Sequence, residues 1–211
     1  MSNHVICLKH GNKYSAEYVN VLHDMVSRHL TIPFNFVCFT ENASGIKQGI
    51  QICQLPKHPE INGWWYKPLL FNPNLEVRGT ILYIDLDVII FKNIDKLFEY
   101  KPNEFCVIRD FNRLWQSQWA RMNSSVVRWN TGQHSQVYNK FMENPKYHSS
   151  RYHGDQDWLF ENVKTDFNFF KSSSFKFFLI CSSLSKEIPF KLTLTISSLN
   201  LFSLRLIWAL S

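Results

Sequence analysis

Apolar and polar positions change period along the chain, and each change predicts an element. Residues 4–8 form a short apolar run of strand length, followed by a polar loop over 9–14. Ser15 is a good helix N-cap, and Tyr18, Val19, Leu22, Met25, Val26 and Leu30 recur behind it at helical spacing. Apolar runs at 34–39 and 50–55 predict two further strands, separated by a polar turn over 40–45. A loop is expected over 56–63 and a helical segment over 64–71. Strands are expected at 105–108 and 126–129, and helices at 133–142 and 156–163. This β-loop-α-β opening predicts an α/β fold with a Rossmann-like sheet. There is no internal repeat.

The run over residues 80–90 carries the most chemistry. Asp85 and Asp87 interrupt an otherwise apolar stretch that resumes at Val88-Ile89-Ile90. In a continuous strand they would share one face, roughly 7 Å apart. Burying two unpaired carboxylates is expensive. A divalent cation bound by hard oxygens, Mn²⁺ or Mg²⁺, would offset that cost. In open α/β sheets ligands bind where strands end. The plainer alternative stops the strand at Asp85 and leaves both aspartates in a solvated turn.

With 211 residues, one domain and a substantial core are expected. The aromatic content (Phe 18, Trp 7, Tyr 8) is that of a globular protein rather than a disordered one. The formal charge is +6, but the basic residues form no stripe interleaved with aromatics, which argues against a nucleic-acid binder. The five cysteines have no metal-ligand spacing and sit mostly in apolar contexts, as expected of reduced thiols in a cytoplasmic protein. No secretory leader is expected, because residues 5–8 are too short for one. From 172 to 211 the chain has no Gly, Asp, His, Val, Gln or Tyr, and Ser, Leu, Phe and Lys dominate. Within it, Lys191 and Arg205 bracket the most apolar stretch, so no transmembrane helix is expected.

Several short motifs line up in order over about the first 165 residues, one domain's worth. They are Val5 to Tyr14, Phe36-Val37-Cys38-Phe39-Thr40, Gly63-Trp64-Trp65-Tyr66-Lys67, Leu82 to Asp87, Asn123-Ser124-Ser125-Val126 and Gly154-Asp155-Gln156-Asp157. Together they resemble a nucleotide-sugar glycosyltransferase of GT-A fold, nearest the bacterial and viral family-8-like enzymes. The resemblance implies a nucleotide-sugar donor, UDP-linked, and a glycan or glycoconjugate acceptor. It implies that Lys9, Gly11 and Tyr14 form the nucleotide loop, with Tyr14 as a stacking platform. Lys67 would lie on the diphosphate, and Asp85 and Asp87 on the metal. Asn123 and Ser124 would line the acceptor side. Asp155 and Gln156 would be the catalytic pair under the sugar, Gln156 stabilising an oxocarbenium-like state. Trp64 and Trp65 are expected in the core rather than on a sugar, and His153 stands next to the acidic loop.

The chain departs from that pattern at two places. Ser125 replaces the usual glycine. The family's third metal ligand is a late histidine, and this chain has none after His153. The composition breaks where the late segment should begin, so the domain is set at 1–170 and 171–211 is an atypical, replaced or frame-shifted tail. Two alternatives follow: a nucleotide-sugar-binding remnant without turnover, and a haloacid-dehalogenase-like phosphatase, which also uses an Asp-x-Asp after an apolar strand. A foreign tail with few turn residues packs poorly, so limited proteolysis is expected to cut between about Lys164 and Lys176 and leave a stable core. A protease-resistant tail on an active protein would contradict that reading.

Overall fold

The computed structural model describes residues 2–110, 121–164, 166–171 and the backbone of 178–180. Its centre is a mixed seven-stranded sheet in the order β3-β2-β1-β4-β7-β6-β8. The strands are β1 (Asn3–Lys9), β2 (Asn35–Thr40), β3 (Gln51–Gln54), β4 (Thr80–Ile84), β6 (Cys106–Arg109), β7 (Met122–Asn130) and β8 (Asn168–Phe169). β1, β2, β3 and β4 run parallel, β7 is antiparallel to both β4 and β6, and β8 is parallel to β6. All four parallel strands therefore end at one edge, where β7 begins, and the expected α/β class holds.

Each face of the sheet is covered by apolar side chains at alternate positions. On one face Val5, Cys7, Leu82 and Ile84 meet Val19, Leu22 and Val26 of α1 (Ala16–His29). On the other, Ile6, Ile81 and Tyr83 meet a 3₁₀ helix (Gly63–Phe71), α3 (Gln136–Glu143) and α5 (Asp155–Val163). Phe71 stacks on Trp129 at 4.6 Å and 19°, an arrangement worth about 0.5–1.5 kcal/mol beyond area burial. Two shorter helices, α2 (Lys96–Glu99) and α4 (Pro145–Arg151), had no clear sequence signal.

Arg128 on β7 is 1% exposed. Its guanidinium donates to the carbonyls of Leu97, Phe98, Tyr100, Lys101 and Glu104, so one side chain satisfies the irregular backbone after α2.

The structure corrects the sequence reading at three points. The run 80–90 is not one strand: β4 ends at Ile84, and β5 (Val88–Ile90) belongs to a separate two-stranded sheet with β9 (Phe178–Ile180). The strand expected at 126–129 begins four residues earlier, at Met122, whereas the helical segment expected over 64–71 is present as a 3₁₀ helix with Pro68 inside it. The helix expected from Gln133 begins only at Gln136, because Gly132 (φ 89°) and His134 (φ 55°) hold left-handed backbone incompatible with a helical start. Apart from Lys171 and the backbone of β9, the tail expectation lies outside the described residues. The four described cysteines, Cys7, Cys38, Cys53 and Cys106, are free and buried. No described helix is long and apolar enough to cross a membrane.

Candidate active site

The site forms where β4 ends and β7 begins. Asp85-Leu86-Asp87 is a turn, closed by the Val88 N–H on the Asp85 carbonyl at 3.2 Å, while the Asp85 N–H still donates to Ser125 of β7 at 2.9 Å. The turn is not a solvated one, because both aspartates are only partly exposed. It sends the two carboxylates in different directions. A continuous strand would have kept both in one row.

Asp85 faces the 3₁₀ helix. Its Oδ1 is 3.1 Å from the Lys67 ammonium, and it accepts from the Tyr83 hydroxyl at 2.5 Å. The same ammonium lies 3.1 Å from Oδ2 of Asp155 and 3.1 Å from the Ser124 hydroxyl. Ser124 in turn donates to Asp155 at 2.7 Å. Lys67 therefore joins β4, β7 and α5. Beneath it the walls are apolar (Pro68, Leu70, Phe71, Trp129), so the carboxylates are the counter-charges to hand. Burial pulls the lysine pKa down, but Asp155 and Asp85 outweigh it and hold the ammonium above the ordinary lysine range. Lys67 is thus not a solvated helix charge. Asp155 is not a side-chain cap either: Gly154 is the N-cap of α5, and the carboxylate turns to Ser124 and Lys67.

Asp87 faces the β1–α1 loop and accepts from the Tyr14 hydroxyl at 3.1 Å. Burial, then the neighbouring Asp85 charge, raises its carboxyl above the ordinary aspartate range. Tyr14 is also raised, by burial and then by Asp87. The loop and the aspartate turn are therefore physically joined, and Tyr14 is tied to Asp87 rather than standing as an open platform. Gly11 adopts φ 63°, and its N–H is already taken by Glu41 at 2.6 Å, so it shapes the loop rather than offering a donor. Lys9 ends β1 at 6% exposure and makes no ion pair with a described residue.

Gln156 sits beside the same cluster. Its Oε1 accepts from the Ser124 N–H at 3.3 Å and its Nε2 donates to Asp110 at 2.6 Å, which fixes the orientation of the amide. Asp110, 6% exposed at the end of β6, was missed in the sequence. The signal was available: an aspartate directly follows the apolar strand Cys106–Arg109, as Asp85 follows β4. Asn123 bends back to accept from the Ser125 N–H at 2.9 Å and so shapes the entry to β7. Asp157 is paired with Arg121 at 2.8 Å.

The donor set suits a hard cation in kind. Asp87 is a partly buried carboxylate with raised pKa and one described hydroxyl partner. Among the described residues no group of three or more His, Cys, Asp or Glu side chains is arranged to hold a metal ion. Asp87→Asn is expected to raise the melting temperature of the metal-free protein by about 2–4 °C, taking relief of crowding at about 1 kcal/mol. The raised pKa makes the charged form costly at neutral pH, and that cost fades as pH falls through the folded value. The variant should also lose any Mn²⁺ dependence of nucleotide binding. Nucleotide binding with unchanged Mn²⁺ dependence would remove Asp87 from a metal site.

No family model matches this chain, and no curated protein matches it in sequence. Solved structures do match. The glycosyltransferase GlyE of Streptococcus pneumoniae TIGR4 superimposes with a TM-score of 0.61 at 15% identity, over 81% of this chain and 45% of GlyE. The galactosyltransferase LgtC, solved with donor and acceptor sugar analogues, matches with a TM-score of 0.61 at 16% identity, over 80% of this chain and 73% of LgtC. Mouse xyloside xylosyltransferase 1 matches with a TM-score of 0.51 at 14% identity, over 81% of this chain and 86% of that one. This chain thus spans under half the length of GlyE. The α/β sheet with its flanking helices is the GT-A fold of glycosyltransferases.

Proposed function

We propose that the protein is a glycosyltransferase that moves a sugar from a nucleotide-diphosphate donor, UDP-linked, to a glycan or glycoconjugate. The observation that supports this most is the convergence of Asp85, Lys67, Ser124, Asp155 and Gln156 from four separate elements at the strand-end edge of a GT-A sheet. Fold alone would be an analogy; the site carries the argument.

Lys67 is the cation for the diphosphate, which gains negative charge as the glycosidic bond breaks, and Lys9 belongs to the proposed nucleotide loop. Asp85 and Asp87 would hold Mn²⁺ or Mg²⁺, which when bound supplies Lewis-acid neutralisation of that charge. For this, Asp85 shares or surrenders its contact with Lys67, leaving the ammonium free to turn to phosphate. Gln156, locked by Ser124 and Asp110, presents its amide to the sugar's reacting carbon. The bond from that carbon to the diphosphate oxygen breaks with its electron pair going to the diphosphate. The acceptor oxygen forms the new bond, and its proton passes to the released diphosphate.

The test is release of nucleoside diphosphate from UDP-glucose, UDP-galactose, UDP-N-acetylglucosamine and GDP-mannose by the full chain, with Mn²⁺, with and without mono- and disaccharide acceptors. Release stimulated by an acceptor supports the reading. Binding without release would favour the remnant, a reading supported by the Lys67 bridge already occupying Asp85 and Asp155. The phosphatase alternative loses its basis in the GT-A strand order, and no hydrolysis of a generic phosphate ester is expected.

A further inference from the structure

The 3₁₀ helix carries two adjacent tryptophans with opposite environments. Trp65 is buried and stacks on Phe141 at 5.7 Å and 6°. Trp64, expected in the core from sequence, is 53% exposed. Its ring meets no other described aromatic ring, and its indole N–H has no hydrogen-bond partner among the described residues. Three residues per turn place Trp64 one turn before Lys67 on the same row of the helix. Its Nε1 lies 3.7 Å from where a Cβ on Gly154 would stand, and Asp155 and Gln156 follow Gly154 directly. The indole therefore lies at the rim of the cluster, against the backbone that leads into the proposed catalytic pair.

The residues beside this contact along the chain are small or polar. Asn62 and Gly63 before it, and His153 before Gly154, are exposed, and neither the Asn62 nor the His153 side chain is held by another described residue. An open aromatic face whose chain neighbours are an amide and, across its contact with Gly154, an imidazole is poor chemistry for a lipid or for a protein hot spot, which bury apolar neighbours together. It is good chemistry for a pyranose. A sugar ring has a face of polarised C–H bonds that meets the negative π face of an indole, and a rim of hydroxyls that needs hydrogen-bond partners. A nucleotide base would also stack, but its proposed loop is tied to Asp87 through Tyr14 and touches the 3₁₀ helix at the buried Tyr66, where the His10 ring lies 4.3 Å away, rather than at Trp64.

We propose that Trp64 is the platform of an acceptor-sugar subsite, stacking one pyranose ring, with Asn62 and His153 receiving its hydroxyls. This deepens the glycosyl-transfer reading and rests on it. It assigns acceptor recognition to the 3₁₀ helix that also delivers Lys67, so one rigid element would position both reacting partners.

The experiment labels the full chain with 5-fluorotryptophan and assigns the Trp64 fluorine resonance through Trp64→Phe. Lactose, maltose and cellobiose are then titrated over about 1–100 mM, the range of weak single-sugar binding. A saturable shift of the Trp64 resonance is expected with at least one disaccharide. Trp64→Ala should weaken that binding about tenfold or more, and Trp64→Tyr should recover part of it, both read by isothermal titration calorimetry against the unsubstituted chain because these variants lack the reporter ring. Failure of all three sugars to move this resonance, or equal affinity in Trp64→Ala, overturns the proposal. A parallel UDP titration reads the donor site separately. Sugar binding at Trp64 without any UDP response would uphold the subsite and remove the nucleotide-sugar reading.

Discussion

Replacing Lys67 with methionine is expected to cost about 2–4 kcal/mol of stability, near the lower part of the range for breaking a buried ion pair because the site is partly solvated. The methionine fills the space but leaves Asp85 and Asp155 facing one another without a cation. For a chain of this size the melting temperature should fall by about 5–12 °C. The sign with pH separates this cause from lost packing. In the native protein the lysine pKa is raised on folding, so its contribution is fully present below the unfolded value near 10.4 and is lost as pH rises through the folded value. In the variant, the two unpaired carboxylates should acquire raised values instead. Their penalty is then present at neutral pH and shrinks as pH falls through those values. Thermal melts at pH 7 and pH 5 therefore should show the deficit narrowing in acid; a deficit independent of pH would assign the loss to packing. The same variant should lose most of its affinity for a nucleoside diphosphate.

Gln156→Ala is expected to lower turnover by about 10²–10³, the loss typical of removing one preorganised polar group from a developing charge. Its affinity for the nucleoside diphosphate should stay within about twofold, because its amide bonds to the Ser124 N–H and to Asp110 and makes no contact with the Lys67 ammonium. Asp155→Ala should lose turnover as well, but with a stability loss, since it also unbalances Lys67. Steady-state kinetics combined with equilibrium titration of UDP separates the two. Equal loss of UDP binding in both variants would make them structural supports rather than catalytic residues.

The elements that the sequence disclosed were those whose apolar period stands alone. The strand β1, helix α1 and strand β2 are each encoded by local spacing, and their bounds fall within one or two residues of expectation. Asp85 and Asp87 were legible as costly charges in an apolar run, but their directions were not. The turn that separates them depends on Ser125 across the ladder and on β5 leaving for another sheet, which are contacts distant in sequence. Lys67, Asp155 and Ser124 were each named singly. Their mutual bonding was hidden because 57 residues separate Lys67 from Ser124 and a further 31 separate Ser124 from Asp155. Asp110 went unremarked because one aspartate after a strand is a common turn residue. Trp64 was misplaced for a related reason: a run of apolar residues fixes neither the period of a 3₁₀ helix nor which of two adjacent tryptophans faces out.

The central claim is that Asp85, Asp87, Lys67 and the β1–α1 loop bind a nucleoside diphosphate. Thermal melting of the full chain with UDP, with and without Mn²⁺, tests it most directly. A ligand that binds only the folded state at about 100 times its dissociation constant adds about 2.7 kcal/mol, which corresponds here to about 5–10 °C. The account predicts that rise with UDP and Mn²⁺ together, a smaller one with UDP alone, and none in Lys67→Met with Asp87→Asn. No rise with UDP or GDP under any metal condition, from a protein that melts cooperatively, would contradict it.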